Sequence, residues 1–126
     1  MSKLPTVKTK SDPRHQHRIL IFQNLFAYTF GNQAQILTQE FTTIIKKIKT
    51  IDNIITKHAP KWPLDKINKI DLSVLRLAVF ELYFQKQTPP KVVLDEAIEI
   101  AKQFGADNSG SFVNGVLGTI LLKLKK

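Results

Sequence analysis

Thirteen residues in the middle of this chain, LSVLRLAVFELYF from Leu72 to Phe84, carry only two charges, Arg76 and Glu81. Apolar side chains fall on nearly every face of a helix built from them, so no stripe is left for water. The segment is far shorter than the ~20 residues a membrane crossing requires. Such a helix has to be surrounded, and the rest of the chain must supply the surrounding layer.

The flanking sequence does so with helical spacing throughout. Asp12-Pro13 reads as a helix start, with the cap at Asp12 and proline at the first helical position. The helix then runs to Gly31, with Ile19, Phe22, Leu25, Phe26 and Phe30 facing inward. A second long helix is expected over 34–58, where Leu37, Phe41, Ile44, Ile45, Ile48, Ile51 and Ile55 recur every three or four residues. Pro60 and Pro63 break it, and Leu64, Ile67 and Ile70 allow one short turn. Asp71 is the expected N-cap of the central helix. Pro90 opens the next, with Val93, Ala97, Ile100, Ala101 and Phe104 on one face, and SFVNGVLGTILLKL forms the last. No strand pattern or repeat appears. The expected fold is all-α: a compact bundle of about five to seven helices, in two helical subdomains around the central apolar helix. Residues 1–11, polar and aperiodic, are expected to form a flexible basic N-terminal arm, and 12–126 a single domain.

Gly105 to Ser111, GADNSGS, has the glycine spacing of a phosphate-binding loop. A Walker loop needs a lysine directly after its second glycine and a buried strand before it. Here Ser111 and Phe112 follow Gly110, and a helix precedes. The stretch reads instead as a corner between helices, with Gly105 in a left-handed stop and Asp107, Asn108 or Ser109 capping the last helix.

Catalytic and metal chemistry find little support. The chain has no cysteine, so thiolate zinc sites and cysteine nucleophiles are excluded. His15 and His17 lie two apart, on different helix faces. Asp95, Glu96 and Glu99 sit early in a helix, where negative charge suits the dipole. No enzyme activity, cofactor or metal is expected, and no membrane association. With no signal-like N-terminus, the expected compartment is the cytoplasm.

Net charge is +9, and it is concentrated at the ends. Lys3, Lys8, Lys10, Arg14 and Arg18 stand against Asp12 alone in the first eighteen residues, and Lys123, Lys125 and Lys126 close the chain. Basic ends on a near-neutral body point to a polyanion, most simply nucleic acid. Lys8, Lys10, Arg14 and His15, with Arg18 one turn on, are the candidate phosphate contacts.

The segment LSVLRLAVFELYFQKQTPPKVVLDEAIEIAKQFGADNSGSFVNGVL resembles the NusB family of transcription antitermination proteins. LRLAxxEL, a proline turn, VxxxEAxExAKx[FY]G and SxxFVNGVL carry the likeness closely over 71–117, and IDNIITKHAPKWPLDKINKID extends it upstream. The resemblance implies an all-helical protein that binds boxA-type RNA jointly with a NusE-type ribosomal small-subunit protein. The pair would join an RNA polymerase antitermination complex that promotes ribosomal RNA synthesis. It also implies that Asp71 faces that partner. The unpaired N–H groups of a helix start and an aromatic ring that a base can stack on lead to the further expectation that the corner lies near the first helix, where Asn108 and Phe112 complete the RNA site begun by Arg14 and Arg18. Their structural alternatives are a helix cap for Asp71 and Asn108 and a core position for Phe112. Two departures stand out: the link near GNQAQ is short, and the arginine-rich start is thinned to PRHQHR. They keep a second reading open, a helical protein-interaction module with weak RNA binding. The same fold precedes the catalytic domain of ribosomal RNA cytosine methyltransferases. With about nine residues after FVNGVL, a stand-alone relative of that RNA-binding domain is the third reading.

Overall fold

The computed structural model describes residues 12–33 and 37–125. The expected flexible arm, with Lys8 and Lys10, lies outside the described residues. Six α-helices follow in order: α1 Pro13–Thr29, α2 Gln39–Lys46, α3 Ile48–His58, α4 Lys69–Phe80, α5 Pro90–Phe104 and α6 Ser109–Leu124. A 3-10 turn, Leu64–Lys66, precedes α4, and a π-helical turn, Glu81–Gln85, extends it. Among the described residues there is no strand, and no helix is long and apolar enough to cross a membrane.

The central position expected of LSVLRLAVFELYF is what the structure shows. α4 packs against all five other helices, and every residue from Asp71 to Leu82 is buried. Leu75 and Val79 are fully enclosed, together with Leu25 of α1, Ile44 of α2, Ile51 and Ile55 of α3, Ile100 of α5, and Leu117 and Ile120 of α6. Each such side chain contributes roughly 1.5–3 kcal/mol relative to remaining in water. The two charges of the segment are also inside, and each is paired. Arg76 donates from Nε and Nη2 to the Asp52 carboxylate of α3, both at 2.9 Å. Glu81 accepts two hydrogen bonds from Arg18 of α1. Paired and planar, these charges tie α4 to two neighbours without leaving a bare ion in the core.

Several local expectations are corrected. The helix expected over 34–58 is split at Lys47, whose N–H bonds to Ile44 O at 3.0 Å and Thr43 O at 3.3 Å. Ile44, Ile45 and Ile48 crowd this point, and β-branched residues support an unbroken helix poorly. The cap of α4 is Asn68, not Asp71: Asn68 Oδ1 accepts from Ile70 N–H at 2.7 Å and from Asp71 N–H at 3.4 Å. Asp71 stands in the first turn, buried. Gly105 is extended (φ −98°, ψ −166°), not left-handed. Glycine is required there by space, since a Cβ would lie 2.7 Å from Ala101 O and collide with the Ser109 hydroxyl. Phe30 and Leu37, expected inside, are 52% and 62% exposed. By contrast Asp12 caps α1 as expected, accepting from Arg14 N–H at 2.9 Å.

Candidate nucleic-acid interface

The sequence-derived site residues fall into two groups on different parts of the bundle. The first is at the start of α1. Arg14 projects outward with 87% of its side chain exposed, and the nearest carboxylate, Asp12, is 3.9 Å away. His15, on the next helical position, points inward and is 4% exposed. Its Nδ1 lies 2.8 Å from Glu96 Oε1 and 4.0 Å from Glu99 Oε1 of α5. Arg18 turns towards α4, with Nε 2.9 Å from Glu81 Oε2 and Nη2 2.8 Å from Glu81 Oε1. It also donates to Thr88 Oγ1 at 3.3 Å. The Glu81 hydrogen bonds hold the Arg18 guanidinium above its ordinary pKa, against the opposing effect of burial.

Arg14 and Arg18 therefore share a helix face but not an environment. Arg14 is open to a phosphate, whereas Arg18 and His15 are held by interior carboxylates. Glu96, expected only to favour the helix dipole, is buried and meets His15 instead. His15, Glu96 and Glu99 hold donor atoms within 4.8 Å of one another. Arg18 Nη1, 3.9 Å from Glu96 Oε1, already brings to this place the positive charge a metal ion would supply. Cavities of about 280 Å³ and 300 Å³ flank Arg18, and Arg14 and Thr88 line both.

The second group lies where α4 begins and α6 begins. A cavity of about 200 Å³ is lined by Trp62, Lys66, Asn68, Asp71, Asn108 and Phe112, with Ile67 beneath. Phe112 is half-buried, and its ring meets that of Trp62 edge to face, with centroids 6.0 Å apart and planes at 78°. Trp62 is 50% exposed. Burial pushes the Asp71 carboxyl above its ordinary pKa, and a hydrogen bond from the Ser109 hydroxyl opposes the shift. Asp71 Oδ1 has no hydrogen-bond partner. Asn108 precedes α6 and makes no side-chain capping bond, so its amide faces solvent. Ser109 is buried and its hydroxyl accepts from Ala106 N–H at 2.9 Å, closing the corner. The Lys102 stem lies over Gly110, where a Cβ would be 3.0 Å from its Cγ.

Asp71, Asn108 and Phe112 are thus brought together, although the sequence assigned them to different partners. They are not brought to Arg14 and Arg18. His15 of α1 meets Glu96 of α5, and Phe22 of α1 stacks on Phe104 of α5 with centroids 5.1 Å apart. The two helices therefore run alongside in the same direction, and the corner after Phe104 lies beyond the Phe22 level. At 1.5 Å per residue that level is already about 10 Å from His15. Trp62, Lys66 and Asn68 escaped the sequence reading because nothing local links them to Phe112. The proline-bounded WPLDKIN segment was the one available signal.

Comparison with known proteins places these features in a family context. A family model described as the NusB family matches residues 30–121. The transcription antitermination protein NusB of Thermotoga sp. (strain RQ2) is 40% identical over 86% of this chain and 89% of its own length. A crystal form of Thermotoga maritima NusB superposes with a TM-score of 0.75 at 34% identity, covering 90% of this chain and 92% of its own. A structure of the antitermination factors NusB and NusE in complex with double-stranded RNA matches with a TM-score of 0.73 at 26% identity, over 85% of this chain and 94% of that one.

Proposed function

This chain belongs to the NusB family, and on that footing we propose that it is an RNA-binding transcription antitermination factor. It binds boxA-type RNA together with a NusE-type ribosomal protein, and the pair joins an RNA polymerase antitermination complex in the cytoplasm. The observation that carries the reading is the likeness to the NusB chain of the NusB–NusE–RNA structure over 85% of this chain. The surface chemistry supports it. Arg14 offers an exposed cation at the start of α1, and Lys8 and Lys10 precede it in sequence. Phe112 and Asn108 offer an aromatic ring and an amide at the α6 corner, the two means by which single-stranded RNA is usually read. Asp71 serves the protein partner only through whatever reaches into its pocket, since the residue is 5% exposed.

His15 and Arg18 set the strength of binding. Both are engaged with interior carboxylates, so the chain alone carries fewer free cations at α1 than its sequence suggests. This favours a division of labour in which the chain binds RNA weakly and the partner raises the affinity. The test is the Kd for a boxA-type RNA with and without a NusE-type protein at one salt concentration. Binding should be at least tenfold tighter with the partner. Partner binding with no RNA bound in either case would leave only a protein-interaction module.

A further inference from the structure

The body of the chain is close to neutral only as a sum. Between Phe41 and Pro63, Lys46, Lys47, Lys49, Lys57 and Lys61 stand against a single carboxylate, Asp52. That carboxylate is 19% exposed and is held by Arg76 through two hydrogen bonds of 2.9 Å, so it does not offset the lysines. Lys47 turns its ammonium over the Phe84 ring, 4.8 Å from the centroid. On α3 the remaining charge falls on one line. Lys49, Asn53 and Lys57 recur every four residues, opposite the fully buried Ile51 and Ile55, and all three are exposed. Thr50 and Thr56, also exposed, flank them. The line is about 12 Å long at the helical rise per residue. Beyond it the chain goes on to Lys61, exposed next to Trp62.

Resting on the RNA-binding reading above, we propose that the outer face of α3 is a second phosphate-binding track, which holds RNA flanking the segment that the complex recognises. Lysine suits this task as a compact point charge that meets a phosphate whatever the base. An acidic protein is the other occupant such charge would attract. Protein interfaces, however, gather around buried aromatic and apolar anchors. α3, described throughout its length, exposes no large apolar side chain. The face is also separate from the start of α1: α3 packs on α4 and α6, whereas α1 lies against α4, α2 and α5. RNA reaches the track only by extending past Arg14. The affinity gained there depends on RNA length and on salt, and not on sequence.

The probes are a boxA-type RNA and the same RNA extended by uridine tracts at both ends. Each is titrated by fluorescence anisotropy into the full chain with its NusE-type partner, over a series of salt concentrations. The wild type should bind the extended RNA more tightly, with a steeper slope of log K against log salt. Lys49→Gln combined with Lys57→Gln removes both charges but keeps good helix formers, so the melting temperature should hold. The double variant should flatten the slope for the extended RNA by about 1.4, at roughly 0.7 for each lost contact. Its slope for the short RNA should stay as in wild type, whereas Arg14→Ala should flatten both. Lys49→Arg with Lys57→Arg keeps the charges and should keep the gain from length. Equal affinity and slope of wild type for the two RNAs overturns the track and leaves the RNA reading standing. A gain that survives the glutamine variant also overturns it, as does loss of the gain in the arginine variant. So does a glutamine variant that loses only association with the partner protein. Failure of wild type to bind either RNA overturns both readings.

Discussion

Arg18 and Glu81, 63 residues apart in sequence, meet in a planar two-bond pair of 2.9 Å and 2.8 Å between α1 and the π-helical end of α4. Side-chain exposures of 12% and 6% place it inside the bundle. Its first consequence is structural. Arg18→Ala strands a buried carboxylate, and stability should fall by about 3–5 kcal/mol in urea unfolding. Replacing both partners by Met and Leu should restore most of the loss, because a buried pair gains little over well-packed apolar groups. A single variant as stable as wild type would show that the pair is not formed in solution.

Arg14, four residues earlier, should behave in the opposite way. It is exposed and holds only a long contact to Asp12, so Arg14→Ala should change stability by no more than ~0.5 kcal/mol. If it contacts an RNA phosphate, the slope of log K against log salt should flatten by about 0.7. An unchanged slope would remove Arg14 from the interface.

Asp71 yields a pH prediction whose sign follows from burial. Its folded pKa is raised above the ordinary 3.8, so the native state holds this proton more tightly than the unfolded chain does. Stability contributed by the protonated form is present below the unfolded value and is lost as pH rises through the folded one. Asp71→Asn should therefore be at least as stable as wild type at neutral pH. Its melting advantage should shrink as pH falls through the raised folded value and be gone below the unfolded value of 3.8. A variant that melts lower than wild type at pH 7 would mean that the Ser109 hydrogen bond outweighs the cost of burying the ionised carboxylate.

Two glycines separate space from helix propensity. Gly105→Ala pushes a methyl group against Ala101 O and the Ser109 hydroxyl, and should cost about 1–3 kcal/mol. Gly115 lies inside α6, where an added methyl would meet nothing within 4 Å. Substitution by Ala should stabilise there by roughly 0.5–1 kcal/mol. Thermal unfolding of the two variants decides, and equal shifts would contradict the packing at the corner.

The helical framework could be read from apolar spacing because burial imposes it: Ile44, Ile51 and Ile55 repeat with the helix and all reach the core. What spacing does not encode is where a hydrogen-bonded ladder yields. The break at Lys47 depends on a local tightening among β-branched neighbours, and the α4 cap fell to Asn68 although Asp71 was equally suitable in type. The site was less legible for a related reason. Arg14, His15 and Arg18 look alike in sequence as a cationic turn. Their difference arises from Glu81 and Glu96, which reach them from α4 and α5. Trp62 and Phe112 are 50 positions apart and acquire a common role only when α6 folds back over the start of α4.

An RNA-binding antitermination factor that acts with a ribosomal protein must discriminate RNA sequence once the pair is assembled. The chain and a NusE-type protein are mixed, and the Kd is measured for a boxA-type RNA and for its scrambled counterpart at physiological salt. The boxA-type RNA should bind at least tenfold more tightly, since charge alone cannot distinguish two RNAs of equal length. Equal affinities for the two sequences would contradict the proposed function.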